Sequence, residues 1–211
     1  ADRVGDANQL TAAVTSRFLQ AENGAERARV SLGQVVYFEN QRGNLPAGTV
    51  TQTSSDLIAE AHARICQPWY LRSDMQWDNE ARETRRFNFY LHYRPAPDRI
   101  VNIGYRLLNA PPPNVQDEQF DVSTQWPLTS RWTAVGRWNY SIADSRTLQA
   151  YAGLAYSNCC WTVRLAGRHR LRPDGTEDDS ILLELELSGL SRLGQGQSDE
   201  SPLRRGRFIY E

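Results

Sequence analysis

The sequence predicts an all-β protein, an antiparallel transmembrane β-barrel. Three observations carry that expectation. Apolar residues recur at every second position in run after run, the period of a strand. Charged residues keep to one of the two phases. The runs last about 9–12 residues, near what a tilted strand needs to cross hydrocarbon and longer than the ~5–6 usual in soluble sheets.

Taken in order, the first strand is placed at Asn8–Leu19, with Leu10, Ala12, Val14 and Phe18 on one phase and Thr15 and Arg17 on the other. Glu22-Asn23-Gly24 supplies the turn, since glycine and asparagine accept the left-handed backbone a tight bend needs. Arg27–Glu39 sets Val30, Leu32, Val36 and Phe38 against Arg29, Ser31 and Tyr37, and Asn40 to Ser54 is a long polar loop. Asp56–Ile65 alternates Leu57, Ala59, Ala61, Ala63 and Ile65 with Glu60, His62 and Arg64 before a turn at Gln67-Pro68. Trp69–Trp77 sets Leu71 and Met75 against Arg72, Asp74 and Gln76. Arg85–Arg94 sets Phe87, Phe89, Leu91 and Tyr93 against Arg86, Asn88, Tyr90 and His92, and Pro95-Ala96-Pro97-Asp98 closes it.

The sixth train is Val101, Ile103, Tyr105 and Leu107, followed by a loop from Asn109 to Asp117 that contains three consecutive prolines. Phe120, Val122 and Trp126 then oppose Asp121, Ser123 and Gln125, and Trp132, Ala134, Gly136, Trp138 and Tyr140 oppose Thr133, Arg137 and Asn139. The clearest hairpin spans Thr147 to Leu171, where the Leu148–Tyr156 and Trp161–Gly167 trains flank Ser157-Asn158-Cys159-Cys160. After a loop at Arg172–Asp179, the eleventh strand sets Ile181, Leu183, Leu185 and Leu187 against Leu182, Glu184, Glu186 and Ser188. Residues 1–193 are assigned to the barrel strands and 194–211 to a polar C-terminal tail, the chain turning polar past Leu190.

Alternation alone also suits a soluble sandwich, which buries one face and wets the other. The charges argue further. Glu60, Arg64, Arg72, Asp74, Arg86, Arg106, Asp121, Arg137, Arg164, Arg168, Glu184 and Glu186 all fall on the polar phase, and the polar exceptions opposite (Ser16, Gln34, Ser73, Thr124) are neutral. An Arg at the lipid midplane costs ~2–4 kcal/mol, enough to clear that phase of charge. Every one of the 24 cations is Arg. A net charge of -1 offers no case for nucleic acid. The mean hydropathy of -0.61 suggests a soluble chain, but a two-faced sheet averages to hydrophilic even when it spans a bilayer. With Ala1 in place of an initiator Met and no signal peptide, the chain is expected to be a mature piece or an internal fragment.

The links after Leu19, Ile65, Arg94, Trp126 and Tyr156 read as short, those after Glu39, Leu107 and Leu171 as long. Outer-membrane barrels keep short turns on the periplasmic side. The cysteine bend and the C-terminus are therefore expected in the periplasm, an oxidising compartment. Trp69, Trp126, Trp132 and Trp161 fall at the short-turn ends, where an interfacial girdle would lie. Cys159 and Cys160 are adjacent and poorly placed to bond each other. Each is open to a distant partner, and the third cysteine, Cys66, also sits at a short-turn end. An incidental thiol pair is the plain alternative, and the spacing does not suit zinc. His62 and His92 lie on the polar phase and His169 ends an apolar train, while Ser73 lies opposite His92 in phase. A Ser/His catalytic pair is therefore disfavoured, and neither a metal nor a cofactor is expected.

Several segments carry a resemblance: Ala7-Asn8-Gln9-Leu10-Thr11, Val30 to Phe38, Gly153 to Trp161 with its cysteine pair, and Leu185 to Leu190. Together they resemble the C-terminal barrel region of the LptD family of lipopolysaccharide-assembly outer-membrane proteins, over most of Ala7 to Leu193. That family's barrel is among the largest, about 26 strands, so the resemblance implies that these are its last strands. It implies translocation of lipopolysaccharide into the outer leaflet of a Gram-negative outer membrane, with no bond made or broken. It implies a lipoprotein plug, LptE, in the lumen, and a periplasmic bridge protein, LptA, reached through an N-terminal domain outside this sequence. By resemblance Cys159 and Cys160 bond to upstream cysteines, while Cys66 has no counterpart. Ile181, Leu183, Leu185, Leu187, Gly189 and Leu190 would form the strand that the barrel-assembly machinery reads and that borders the lateral seam. The competing expectations are a porin-like passive channel, an outer-membrane phospholipase and a soluble β-sandwich adhesin.

Overall fold

The structure, a computed structural model, describes residues 8–38, 54–110, 115–172, 174–187 and 191–194. Those residues are all-β. The strands are β1 (Gln9–Leu19), β2 (Glu26–Tyr37), β3 (Leu57–Cys66), β4 (Trp69–Asp78), β5 (Glu83–Ala96) and β6 (Arg99–Ala110), then β7 (Val115–Pro127), β8 (Trp132–Ser141), β9 (Arg146–Ser157), β10 (Trp161–Leu171), β11 (Glu177–Leu187) and β12 (Ser191–Gly194). They form one sheet whose order is the chain order, beginning with β1 and ending with β12. The pairs from β1 to β3 and from β7 to β12 are antiparallel.

Three features differ from the sequence expectation. First, β6, β7 and β11 run past their apolar trains, to Arg99–Ala110, Val115–Pro127 and Glu177–Leu187. The hydrogen-bonded ladder continues where both faces are polar, and there a period of two has no hydropathy contrast to show it. The expected long links after Leu107 and Leu171 shrink accordingly to 111–114 and 172–176, alike in kind to 79–82 and 142–145. Only 38–56 remains long, so the contrast between short and long sides rests on that one loop. Second, extending β11 puts Asp179 on the same phase as Ile181, directly across from His169. The charge-free phase thus holds over the strand interiors and ends near the strand tips. Third, Ser191–Gly194, beyond the eleventh expected strand, pairs with β11. Four residues are too few for any periodicity to announce them. Gly189, Leu190 and the tail from 195 onward lie outside the described residues.

The chain divides into two compact units. The first takes in Ala1–Ile65, Leu71–Phe89 and Leu107–Gln116. Its register sets Val14 beside Leu32 and Leu32 beside Ala59 on one face, and Thr15 beside Ser31 and Ser31 beside Glu60 on the other. A one-residue slip would exchange those faces, so the alternation itself pins the pairing. Gly24, at φ 69°, closes the first turn, with Gln20 N donating to Ala25 O at 2.8 Å. Asp78 ends β4 by accepting from the backbone N–H groups of Glu80 and Ala81 at 2.8 and 3.0 Å and from the Arg85 guanidinium. Arg85 also lies 3.5 Å from Asp56, which accepts from Gln76 at 2.7 Å.

The second unit takes in Cys66–Tyr70, Tyr90–Arg106 and Asp117–Glu211. Across β8 to β11 the register lines up Ala134, Leu154, Leu165 and Leu183 in one row of the apolar phase. One residue on, Val135, Gly153, Ala166 and Leu182 line up on the opposite phase. At Gly153 an added Cβ would stand 2.7 Å from Ala166 Cβ and 2.8 Å from Leu165 O, so the packing there admits glycine alone.

Candidate functional site

In the second unit the two faces of the sheet have their burial inverted relative to a soluble protein. On the apolar phase Leu165 is 53% exposed and Leu183 59%, and Leu154 and Trp138 are exposed as well. On the polar phase Ser123 is 2% exposed, Gln125 4% and Arg164 9%. Among the described residues the apolar side chains that reach full burial are Tyr151 and Ala166, and both lie on the polar phase. A sandwich would pack its Leu and Val together and leave its Arg in water. Here the charged face is the packed one, and the exposed one is the greasy one.

Buried polar groups must find partners, and this face is built to supply them. In the second unit Arg164 donates to Glu184 Oε1 at 3.0 Å and to Glu186 Oε2 at 2.8 Å. Glu184 stands directly across from Arg164, and Glu186 is two residues on, on the same phase. Arg137 donates to Asp121 at 2.8 Å, and the Asn139 amide bridges Asp121 and Gln119. Tyr105 donates to Glu118 at 2.7 Å, and Arg106 to Asp117 at 2.9 Å. In the first unit Asn88 donates to Asp74 at 2.6 Å, and Arg29 to Glu26 at 2.9 Å. Within each unit the charges and amides of this face are paired with one another.

The hydrogen bonds of His92 and Ser73 do not bring a base against a nucleophile. His92 Nδ1 donates to Asn102 Oδ1 at 2.8 Å, and Asn102 Nδ2 donates to Ser123 Oγ at 3.1 Å. The amide stands between base and hydroxyl, whereas acyl transfer needs the base against the nucleophile. Ser73 spends its hydroxyl on the Asn88 carbonyl at 3.1 Å. His169 lies 2.7 Å from Asp179 on the apolar phase, near the 172–176 end of β10. Sequence alone did not single out Asn102, Ser123, Tyr151 or Gly153. The available signal was small or uncharged residues on the charged phase, which mark where that face packs most closely.

The cysteine bend is a three-residue link, 158–160, closed by Asn158 N donating to Trp161 O at 2.9 Å. Asn158 Oδ1 accepts from Cys159 N at 2.9 Å. Cys66, Cys159 and Cys160 are free thiols and exposed, with the Cys159 and Cys160 sulfurs 2.8 Å apart. The neighbouring Cys159 sulfur holds the Cys160 thiol above its ordinary pKa. Both thiols are exposed at the bend and in contact with each other.

Aromatic rings gather at the same strand ends. Trp69 meets Tyr93 with centroids 4.4 Å apart, and Tyr93 stacks on Trp126 at 6.5 Å. Tyr156 contacts Trp132 at 5.0 Å and Trp161 at 5.2 Å. Arg99 sits over the Trp126 ring at 5.5 Å. At the opposite ends Trp138 contacts Phe120 at 6.4 Å and Tyr140 at 5.5 Å. Amphipathic rings in two bands, with aliphatic side chains between, match the two interfaces of a bilayer.

Comparison with known proteins adds to this geometry. A family model described as "LptD: LPS transport system D" matches residues 1–132. The LPS-assembly protein LptD of Nitrosococcus oceani is 43% identical over 197 residues, which is 92% of this chain and 26% of that protein. The protein of the same name from Thiobacillus denitrificans is 40% identical over 199 residues, 94% of this chain and 27% of that protein. In Xanthomonas euvesicatoria the corresponding figures are 37% over 221 residues, 100% and 27%. The chain therefore spans about a quarter of the length of the curated relatives it matches.

Proposed function

Because the chain belongs to the LptD family of LPS transport proteins, we propose that it forms the last strands of an outer-membrane barrel that delivers lipopolysaccharide to the outer leaflet. The inverted burial carries this reading. Leu165 and Leu183 face outward, where acyl chains replace water, while Arg164 is enclosed among carboxylates on the other face. A wall of Arg, Asp, Glu and amides suits a phosphorylated sugar head group, and hydrocarbon suits the lipid tails.

The finer parts of the reading follow from the family. Cys159 and Cys160 bond to cysteines in the upstream part of the longer protein, and their exposed thiols support that pairing. LptE fills the lumen, LptA docks on an N-terminal domain of the longer protein, and the barrel-assembly machinery reads β11. The 158–160 bend and the C-terminus face the periplasm. The length of the 38–56 link supports that orientation.

A spin label at Leu91 or Leu165 of the full-length protein tests the membrane assignment. Hydrocarbon at both, with Arg164 screened from lipid, supports it; bulk water at both overturns it. Gel mobility of the full-length protein with and without reductant tests the cysteines, and unchanged mobility removes the disulfide assignment. Conductance through an unplugged pore with no retained LptE would favour the porin-like channel instead.

A further inference from the structure

Two clusters at the short-turn ends of the second unit repeat one pattern. In each, a tyrosine stands between two tryptophans and an arginine lies at the rim. Tyr93 of β5 meets Trp69 of β4 with centroids 4.4 Å apart and stacks on Trp126 of β7 at 6.5 Å. Arg99, the first residue of β6, holds its guanidinium 5.5 Å from the centroid of the Trp126 ring. Tyr156 of β9 meets Trp132 of β8 at 5.0 Å and Trp161 of β10 at 5.2 Å. Arg131, in the 128–131 link, brings Nη1 to 3.5 Å from the Tyr156 hydroxyl.

Both arginines are exposed, and among the described residues neither has a carboxylate within ion-pair distance. Arg85, Arg106, Arg137 and Arg164, by contrast, all pair with acids. Arg99 also shares the outward phase of Val101 and Ile103, which the strand interiors keep free of charge. At the opposite ends Trp138 contacts Phe120 and Tyr140 with no cation over these rings among the described residues, and the outward phase of β11 carries Asp179 there.

An outward guanidinium at the level of an aromatic girdle is matched by an anion of the head-group region. With its face on Trp126, Arg99 keeps its in-plane N–H donors free, and Arg131, held through one nitrogen, keeps the others. Such donors fit the oxygens of a phosphate, and the rings beside them give an apolar flank to the lipid below it. We propose that each cluster is a site for a glycerophospholipid of the leaflet at the short-turn ends, with Arg99 and Arg131 holding the phosphate and the Trp–Tyr–Trp rows flanking the upper acyl chain. The inference rests on the membrane reading and the orientation proposed above. Lipopolysaccharide is delivered to the outer leaflet, so the lipid at the periplasmic end is a glycerophospholipid. The opposite ends offer Asp179 where these offer arginine, so the two sites tie this part of the wall to one leaflet and fix its depth.

Native mass spectrometry of the full-length protein in detergent tests the proposal, with dioleoylphosphatidylglycerol as one probe and dioleoylglycerol, which has the same tails and no phosphate, as the other. The phosphate-bearing lipid should be retained and dioleoylglycerol lost. Arg99→Gln together with Arg131→Gln should weaken retention by about tenfold or more, in protein whose heat-modifiable gel mobility shows that it has assembled. Equal retention by the variant, or equal retention of dioleoylglycerol by the intact protein, overturns the proposal. Arginine-dependent retention of lipid A in preference to phosphatidylglycerol overturns the choice of lipid. Should the variant not assemble, phosphatidylglycerol with a photoreactive head group, added to the intact protein, decides the matter. Adducts concentrated at Trp126, Tyr156 and their neighbours support the sites, and adducts as frequent at Phe120 and Trp138 overturn them. A spin label at Leu165 in the same preparation keeps the two readings apart. Hydrocarbon there without arginine-dependent retention refutes the sites alone, and water there refutes the membrane reading on which they rest.

Discussion

Gly153 shows how little room the packed polar face has. Its missing side chain is filled by Ala166, and both backbone and side chain stand in the way of any Cβ. Overpacking of this kind costs about 1–3 kcal/mol, so Gly153→Val should lower the temperature at which heat-modifiable gel mobility of the full-length barrel is lost. Gly167, whose Cβ position is open, should accept alanine with little change. Arg164 is the corresponding charge position. Replacing it with Ala leaves Glu184 and Glu186 without their buried cation, a loss of about 3–5 kcal/mol where such pairs are enclosed, reduced here because both carboxylates keep some solvent. The same gel assay reads it, and Arg164→Lys should restore only part of the stability, since a single ammonium nitrogen lacks the planar fork whose two nitrogens reach Glu184 and Glu186 separately. At the bend, the Cys160 thiol is held high by Cys159. Cys159→Ala should therefore lower the Cys160 pKa, and alkylation of the reduced protein at neutral pH should quicken. An unchanged rate against pH would show that the sulfur contact does not operate in solution. Arg164 was legible in the sequence as a polar-phase charge, but its two carboxylates and the Gly153 contact were not, because both depend on register across strands.

At the scale of the element, the strand interiors were legible and their ends were not. β8, β9 and β10 begin and end within a few residues of their apolar trains, since hydrocarbon imposes a sharp contrast between phases. β7 and β11 extend several residues past that contrast, into Val115–Gln119 and Glu177–Ser180, where polar side chains on both faces hide the period. The His169–Asp179 pair lies in that outer zone and explains why the charge-free phase stops short of the strand tips. The element-scale prediction follows from facing. Leu165→Arg at mid-strand should cost ~2–4 kcal/mol and reduce the yield of assembled barrel in membranes. Asp179→Arg, close to the head groups, should cost far less. Equal yields for the two variants would mean that the outward face does not meet lipid. Ile181 to Leu187 of β11 keep their expected phase, while the pairing of the strand's second edge became readable only through β12, which no periodicity could signal.

At the scale of the whole molecule, the relatives are about four times as long as this chain, and a membrane sheet must close to leave no edge. Residues 1–211 expressed alone should aggregate or require partner strands in detergent, and light scattering after refolding would show it. A monodisperse, closed monomer would count against the part-barrel reading. What the amino-acid order determined by itself was the class of fold, the facing of nearly every side chain in the strand interiors and the family, because each is written in local alternation or in short contiguous motifs. Tertiary structure alone decided which face is packed, which carboxylates Arg164 meets, where the ladders end and what covers the edge of β11. Those depend on residues brought together from distant parts of the chain, and a period of two is silent about what lies across the next strand.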